Sequence, residues 1–317
     1  MRGFALDDFG ATGSVRDLPE PLLEEGDVRV RVRAAGVNPL DWAIATGAVH
    51  RRVKEAMQGR FPLVLGMDLS GTVERVGPGV RTVAVGDEVY GLPGKPFFGG
   101  GSFAELAVVS ALTIAPKPAS LPHRDAAAVP MAAMTALAAM DIALPGDGDT
   151  ALIVRAAGGV GSFAVQMAAA RGARVIAVAR GVNATYLRGL GAAEVIDYER
   201  ADPVDEMRSR HPGGVDVLID LLGARGGLER LLGAVRDGGR VACVTAVPDA
   251  LVAARGIAAQ TIVADASSER LAEVARLLDE GTLRLPAIRS FPLERAAEAL
   301  FECGRRHVRG KLVLTVP

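Results

Sequence analysis

Residues 150–179 read TALIVRAAGGVGSFAVQMAAARGARVIAVA. TALIVRA (150–156) is a short apolar run without alternation, the pattern of a parallel strand buried on both faces. SFAVQMAAARG (162–172) has helical composition and ends on Gly172, a residue suited to a helix C-cap. ARVIAVA (173–179) reads as a second buried strand. Between the first strand and the helix lies a turn with three glycines, RAAGGVGSFAVQ (155–166). Such a turn either reverses the chain tightly and does nothing more, or cradles the pyrophosphate of a dinucleotide. Its spacing, Ala156-x-Gly158-x-x-Gly161, favours the cradle. A small residue at 156 permits the turn, Gly158 lets the backbone approach the phosphates, and Gly161 lets the helix pack on the strand. The helix N-terminus then offers unpaired N–H groups and partial positive charge to the anion.

Working outward, the alternation of strand and helix continues. EVIDY (194–198), VDVLIDLLG (215–223) and GRVACVTAV (239–247) read as strands, with a helix near 226–236. Strands separated by helices of this length imply a parallel, doubly wound sheet. The first third is different. DVRVRVRAAGV (27–37), SGTVERVGPGV (70–80), GDEVYGL (86–92) and SFAELAVVS (102–110) read as strands, the first of them alternating charged and apolar residues with period two. GLPGKPFFGGGS (91–102) reads as a loop, and 124–141 carries the helical signal. The C-terminal part adds helices over 267–281 and 293–306 and a closing strand, KLVLTVP. The expected organisation is an α/β chain in which a β-rich domain (1–121 plus 265–317) receives a doubly wound parallel-sheet domain (122–264) as an insertion.

Several function classes are disfavoured. The formal net charge of −1 leaves no footprint for nucleic acid or an anionic membrane. The apolar run between Asp125 and Asp141 is broken by Pro130 and reads as too short for a bilayer. Two cysteines, Cys243 and Cys303, make no disulfide framework, and the N-terminus lacks an apolar signal region, so a cytoplasmic protein is expected. The four histidines (His50, His123, His211, His307) are neither paired at i, i+4 nor grouped with a cysteine, so no metal site is expected. Gly-x-Ser-x-Gly does not occur, which leaves a serine hydrolase unsupported.

The end of the second strand bears on the cofactor. A site for NAD usually places an acid about twenty residues past the glycine motif, on the ribose 2′-hydroxyl. Here the chain reads Ala177-Val178-Ala179-Arg180-Gly181, with no acid before Glu194. Arg180, a planar bidentate donor, suits a 2′-phosphate, so NADPH is expected over NADH.

With these residues in place, the chain resembles the zinc-independent medium-chain dehydrogenases/reductases of the quinone oxidoreductase (zeta-crystallin-like) branch. The similarity runs nearly end to end. It is carried by AAGVNPLDW (34–42), FPLVLGMDLSGTVERVGPGV (61–80), GDEVYG (86–91), SFAELAVV (102–109) and AAAVPMAAMTA (126–136). It continues through AAGGVGSFAVQMAAARGA (156–173), GAAEVIDY (191–198), FPLERAAEAL (291–300) and RGKLVL (309–314). Zinc-dependent relatives have a cysteine near Val37-Asn38 and Gly-His-Glu near Gly66-Met67-Asp68; neither is present, nor is the four-cysteine structural zinc lobe.

The resemblance implies a GroES-like β-rich domain with a Rossmann domain, a nicotinamide cofactor and a homodimer. It places Gly158, Gly159, Val160 and Gly161 along the pyrophosphate, and Arg180 and Tyr198 around the adenosine ribose and 2′-phosphate. Val244, Thr245, Ala246 and Val247 would line the cofactor, Thr261, Ile262 and Val263 would flank the nicotinamide, and Asn38 and Thr135 would face its end. Asp41 reads as structural.

This chain also departs from the family. A basic residue is missing just after Trp42, the family lysine or arginine past the second strand is Val182, and His50 stands in the loop where a tyrosine is usual. Asn38 and His50 are the candidates for a catalytic part. The implied reaction is NADPH-dependent reduction of a quinone or an α,β-unsaturated ketone, without metal. Two alternatives stay open: a tailoring enoyl reductase for one polycyclic or polyketide-type substrate, and a nucleotide-binding protein with little turnover.

Overall fold

A computed structural model of the chain describes residues 1–49, 51–93, 100–223 and 227–317, and for Arg52 and Ala56 the backbone alone. The described residues form two compact units, Met1–Met131 with Ala266–Pro317, and Ala132–Asp265. The expected division at 121/122 thus lies ten residues before the one in the structure, because His123–Ala126 and the alanines that follow pack within the first unit. Ala127 and Ala128 pack there on Ala34 and Val313.

In the first unit the long strand Asp27–Val37 is central. It pairs with Leu69–Val76, Leu106–Ser110 and the C-terminal strand Lys311–Thr315. Val28, Val30 and Val32 are fully buried, while Arg29 and Arg31 reach across to Glu74 on the open face. From Ala34 onward both faces are covered, so the alternation ends. The cover comes close at Gly36, where a Cβ would lie 2.5 Å from the Ala127 carbonyl oxygen and 2.6 Å from the Asp68 carboxylate. A helix, Pro39–Ala45, follows directly and carries no apolar periodicity long enough to announce itself. Its signals are local: Pro39 in the first turn, and Asp41 accepting the Asn38 N–H at 2.8 Å. A small sheet of Arg2–Leu6, Ser14–Asp17 and Leu63–Val64 completes this unit.

The second unit is a six-stranded parallel sheet. With its strands numbered along the chain as Thr150–Val154, Arg174–Ala179, Glu194–Asp197, Val215–Asp220, Val235–Cys243 and Ala258–Thr261, their spatial order is 3-2-1-4-5-6. This is the doubly wound order, with its reversal between the first and fourth strands. Several expected boundaries change. The helix begins at Gly159 rather than 162, because the glycines themselves form its first turn. The fifth strand runs Val235–Cys243, so Val244 to Val247 leave the sheet although their apolar composition continues it. The fourth strand stops at Asp220 rather than reaching 223. Gly172 does take the left-handed conformation, φ 86°, just past the helix end.

The stretch His123–Ala143 is, against expectation, long and apolar enough to cross a membrane by length and composition. Its most apolar 18-residue window is 72% buried within the protein, which is how a core helix of the same composition sits.

Candidate dinucleotide site and a buried charged cluster

In the second unit, the first strand leads into Arg155, which holds φ 63°, an uncommon conformation for a non-glycine residue. The turn is closed by Ala156 N–H donating to Val178 O (3.1 Å) and Gly158 N–H donating to Arg155 O (3.1 Å). The helix Gly159–Ala170 then starts with Gly158 as a cap that has no side chain to offer. The N–H groups of 159–161 therefore have no acceptor within the helix.

The glycines differ in what they do. A Cβ on Gly161 would lie 2.5 Å from the carbonyl oxygens of both Arg155 and Ala156, so the packing of helix on turn requires glycine. A Cβ on Gly158 would meet nothing nearer than 3.5 Å, and its φ of −76° suits any residue. Protein packing does not demand Gly158. A side chain there would instead cover the helix's first N–H groups, which is the place a pyrophosphate needs open. Two residues not anticipated from the sequence brace the turn: Ser162 Oγ donates to Gly158 O at 2.7 Å and lies 2.8 Å from the Tyr186 hydroxyl.

At the end of the second strand Arg180 is not free. Its Nε donates to Glu199 Oε1 at 2.8 Å. The expectation of a corner without acid does not hold. The second strand itself carries no acid, but strand pairing sets Asp197 of the third strand directly beside Ala179. A Cβ on Gly181 would lie 2.4 Å from Asp197 Oδ2, and Asp197 Oδ1 accepts the Glu199 N–H at 3.1 Å. Tyr198 stands exposed between the two acids, its N–H donating to Ala179 O.

Exposed apolar side chains mark the carboxyl ends of the other strands: Val182 after the second, Leu222 after the fourth, Val244 after the fifth and Val263 after the sixth. The segments holding the last two are tied together. Thr261 Oγ1 donates to Thr245 O at 2.8 Å, and Ile262 N–H to Cys243 O at 2.7 Å. Ala246 is exposed and Val247 half-buried at the same end, while Ile262 is buried. Ligands of doubly wound sheets bind outside the carboxyl ends of the strands, and an apolar margin there suits flat aromatic rings. Beneath it, Asp220 Oδ2 and Thr245 Oγ1 are buried without a hydrogen-bond partner. Burial pushes the Asp220 carboxyl up from the usual carboxylate range. In the sequence Asp220 carries no signal of its own, because it stands inside an apolar strand. Thr135 lies half-buried on the helix Pro130–Ala143 of this unit.

Asn38 belongs to the first unit and sits in a buried charged cluster. Lys311 Nζ donates to Asn38 Oδ1 (2.6 Å) and Asp68 Oδ2 (2.8 Å), and Asn38 Nδ2 donates to the same Asp68 oxygen (2.8 Å). Asp68 Oδ1 accepts the Met131 N–H at 2.6 Å, and Ser102 Oγ donates to Asp68 O at 2.6 Å. Asp41 accepts Asn38 N–H and Gly66 N–H, and burial pushes its carboxyl up to about 7 against the pull of those two donors. The amide of Asn38 is thus engaged at both ends. His50 lies outside the described residues.

This cluster does not fit a zinc ion. A lysine ammonium already lies against the Asp68 carboxylate, and the neighbouring positions hold Val37 and Met67, which offer neither thiolate nor imidazole. Among the described residues no three His, Cys, Asp or Glu side chains converge as metal ligands. A second constellation invites a nucleophile reading: Ser70 Oγ lies 2.8 Å from His123 Nδ1, whose Nε2 lies 3.1 Å from Glu88. Ser70 is fully buried and its hydroxyl donates to Val89 O, so no substrate carbonyl reaches it.

Residues 24–119 match the alcohol dehydrogenase GroES-like domain, and residues 190–314 match the zinc-binding dehydrogenase family. The chain is 32% identical to the mitochondrial NAD(P)H oxidoreductase RTN4IP1 of Mus musculus, over 100% of this chain and 89% of that protein. It is 35% identical to a segment of the polyketide synthase GfsB of Streptomyces halstedii, over 93% of this chain and 5% of that protein. The quinone oxidoreductase of Coxiella burnetii superposes with a TM-score of 0.91 at 31% identity, over 100% of this chain and 99% of the other. With the GroES-like and Rossmann units both in place, the chain belongs to the medium-chain dehydrogenase/reductase family, in its quinone oxidoreductase-like branch.

Proposed function

We propose that this protein is a metal-independent oxidoreductase that uses NADPH to reduce a quinone or an α,β-unsaturated ketone. The observation that carries the reading is the glycine turn, where Gly161 is demanded by packing while Gly158 leaves the helix N-terminus uncovered. The N–H groups of 159–161 bind the pyrophosphate, and the helix dipole adds to that attraction. Arg180 takes the 2′-phosphate and Tyr198 borders the adenosine ribose. Val244 to Val247 and Thr261 to Val263 hold the flat rings and exclude water from them. When bound, the dihydronicotinamide supplies a hydride. The chain's part is to position the rings against an electron-poor carbon, and the product oxygen takes its proton from solvent. Lys311, seated on Asp68 and Asn38, acts as a buried structural charge.

Similarity to an NAD(P)H oxidoreductase and to a quinone oxidoreductase supports the coarse class. The test is NADPH oxidation with naphthoquinones and with simple enones. Turnover above background with either class is expected; tight NADPH binding with no oxidation by either overturns the reading in favour of a binding protein. A second reading, a tailoring enoyl reductase, is favoured by the 35% identity to a polyketide synthase segment. Reduction of an enoyl thioester in preference to quinones would select it.

A further inference from the structure

Resting on the assignment of Arg180 to the 2′-phosphate, we propose that Glu199 is a specificity-determining residue that occupies Arg180 in the free protein and gives NADH a place at the same corner. Arg180 Nε donates to Glu199 Oε1 at 2.8 Å, so the carboxylate already takes a charge-assisted bond that an incoming phosphate would take. Asp197 adds a second negative charge at the same corner. It packs on Gly181 and accepts the Glu199 N–H, which anchors the Glu199 backbone and leaves the side chain as the part able to turn.

The consequences for the two cofactors are opposite. A 2′-phosphate brings nearly two negative charges to a corner where Arg200 lies 3.6 Å from Asp197 and Glu199 holds Arg180, and it claims Arg180 only when Glu199 lets go. A ribose with a free 2′-hydroxyl brings no charge, and it donates a hydrogen bond to the Glu199 carboxylate while the Arg180–Glu199 pair stays closed. Glu199 thus penalises NADPH and serves NADH. Both partners are about 40–46% exposed, so the pair is the weak, solvent-screened kind that opens at small cost. Glu199 also has somewhere to go. It lines a recess of about 700 Å³ shared with Arg188 and Arg200, so a carboxylate turned off Arg180 meets other cations. The protein therefore accepts both cofactors, with a preference smaller than Arg180 alone would impose.

The test is titration of NADPH and NADH, by nucleotide fluorescence, into the full-length protein, Glu199→Gln, Arg180→Ala and the double variant. Glu199→Gln removes the charge and keeps the shape. It should shift the ratio of the two dissociation constants toward NADPH by about 5- to 20-fold, an effect that shrinks as salt is raised. In the Arg180→Ala background the same substitution should shift the ratio less, since the competition for Arg180 is gone and only the direct effect of Glu199 on the ribose 2′ position is left. A ratio unchanged within twofold in Glu199→Gln, or moved toward NADH, with Arg180→Ala still selective against NADPH, overturns this proposal alone. Equal loss of both cofactors in Arg180→Ala overturns the assignment of Arg180, and this proposal with it.

Discussion

The ammonium of Lys311 lies 2.8 Å from the carboxylate of Asp68, with 6% and 0% of the two side chains exposed. The residues are 243 positions apart, and their meeting joins the C-terminal strand to the segment entering Leu69–Val76. A buried pair of this kind is held by its hydrogen bonds rather than by net Coulomb gain. Here Asn38, Met131 N–H and the Val37 carbonyl supply them.

Removing one partner should therefore cost more than removing both. Lys311→Met leaves the Asp68 charge buried, and a loss of about 3–5 kcal/mol is expected. The double variant Lys311→Met, Asp68→Leu should recover part of it. Urea denaturation of the three proteins measures the difference, and a single variant as stable as wild type would contradict the finding.

The two glycines of the turn should separate stability from binding. Gly161→Ala places a methyl 2.5 Å from two carbonyl oxygens, and a loss of about 1–3 kcal/mol should accompany weaker binding. Gly158→Ala should keep its melting temperature within a few degrees yet weaken NADPH at least tenfold. Thermal melts and nucleotide titration on the same samples check both.

Asp41 predicts a pH dependence with a definite sign. Its folded pKa of about 7 lies above the unfolded value of 3.8, so the folded state holds its proton more tightly. The resulting stability is full below pH 3.8 and is lost as pH rises through about 7, on the order of 4 kcal/mol in all. His123 works oppositely. Burial lowers its pKa from 6.5, so its contribution is present above 6.5 and is lost as pH falls. Urea midpoints of wild type and Asp41→Asn at pH 5 and pH 8 isolate the first effect: wild type should lose more on going to pH 8 than the variant does.

Activity should be unaffected by chelation. Dialysis against EDTA should leave the rate of NADPH oxidation within experimental scatter, and added zinc should not raise it. A chelator-sensitive rate restored by zinc would overturn the proposed metal-independent reaction.

The tie between Ser162 and Tyr186 is expected to matter modestly. Tyr186→Phe removes one hydrogen bond to the serine that braces the turn, a change of about 1 kcal/mol in stability. A two- to fivefold rise in the NADPH dissociation constant should follow, read by the same titration.

The parallel sheet and its glycine turn were legible in the sequence because both are local. Ala151–Val154 and Val175–Ala179 are buried on both faces and therefore apolar throughout, and Gly161 is glycine because carbonyls five and six residues away leave no room for a Cβ. Strand ends were less legible. The stretch 239–247 keeps its apolar composition past Cys243, so composition marks no end to the strand there. Helix Pro39–Ala45 was missed because seven residues are too few to show a helical period, although its capping pattern was there to be seen.

By itself, then, the sequence determined the architecture and the glycine turn, which depend on steric and periodic patterns within about thirty residues, and the family, through motifs in fixed order along the chain. Only the tertiary structure decided what stands beside each charged group. Strand pairing places Asp197 next to Ala179 and so brings Glu199 to Arg180, and the return of the chain at its C-terminus places Lys311 on Asp68 and Asn38. Those contacts depend on sheet register and chain closure, which no spacing along the polypeptide encodes.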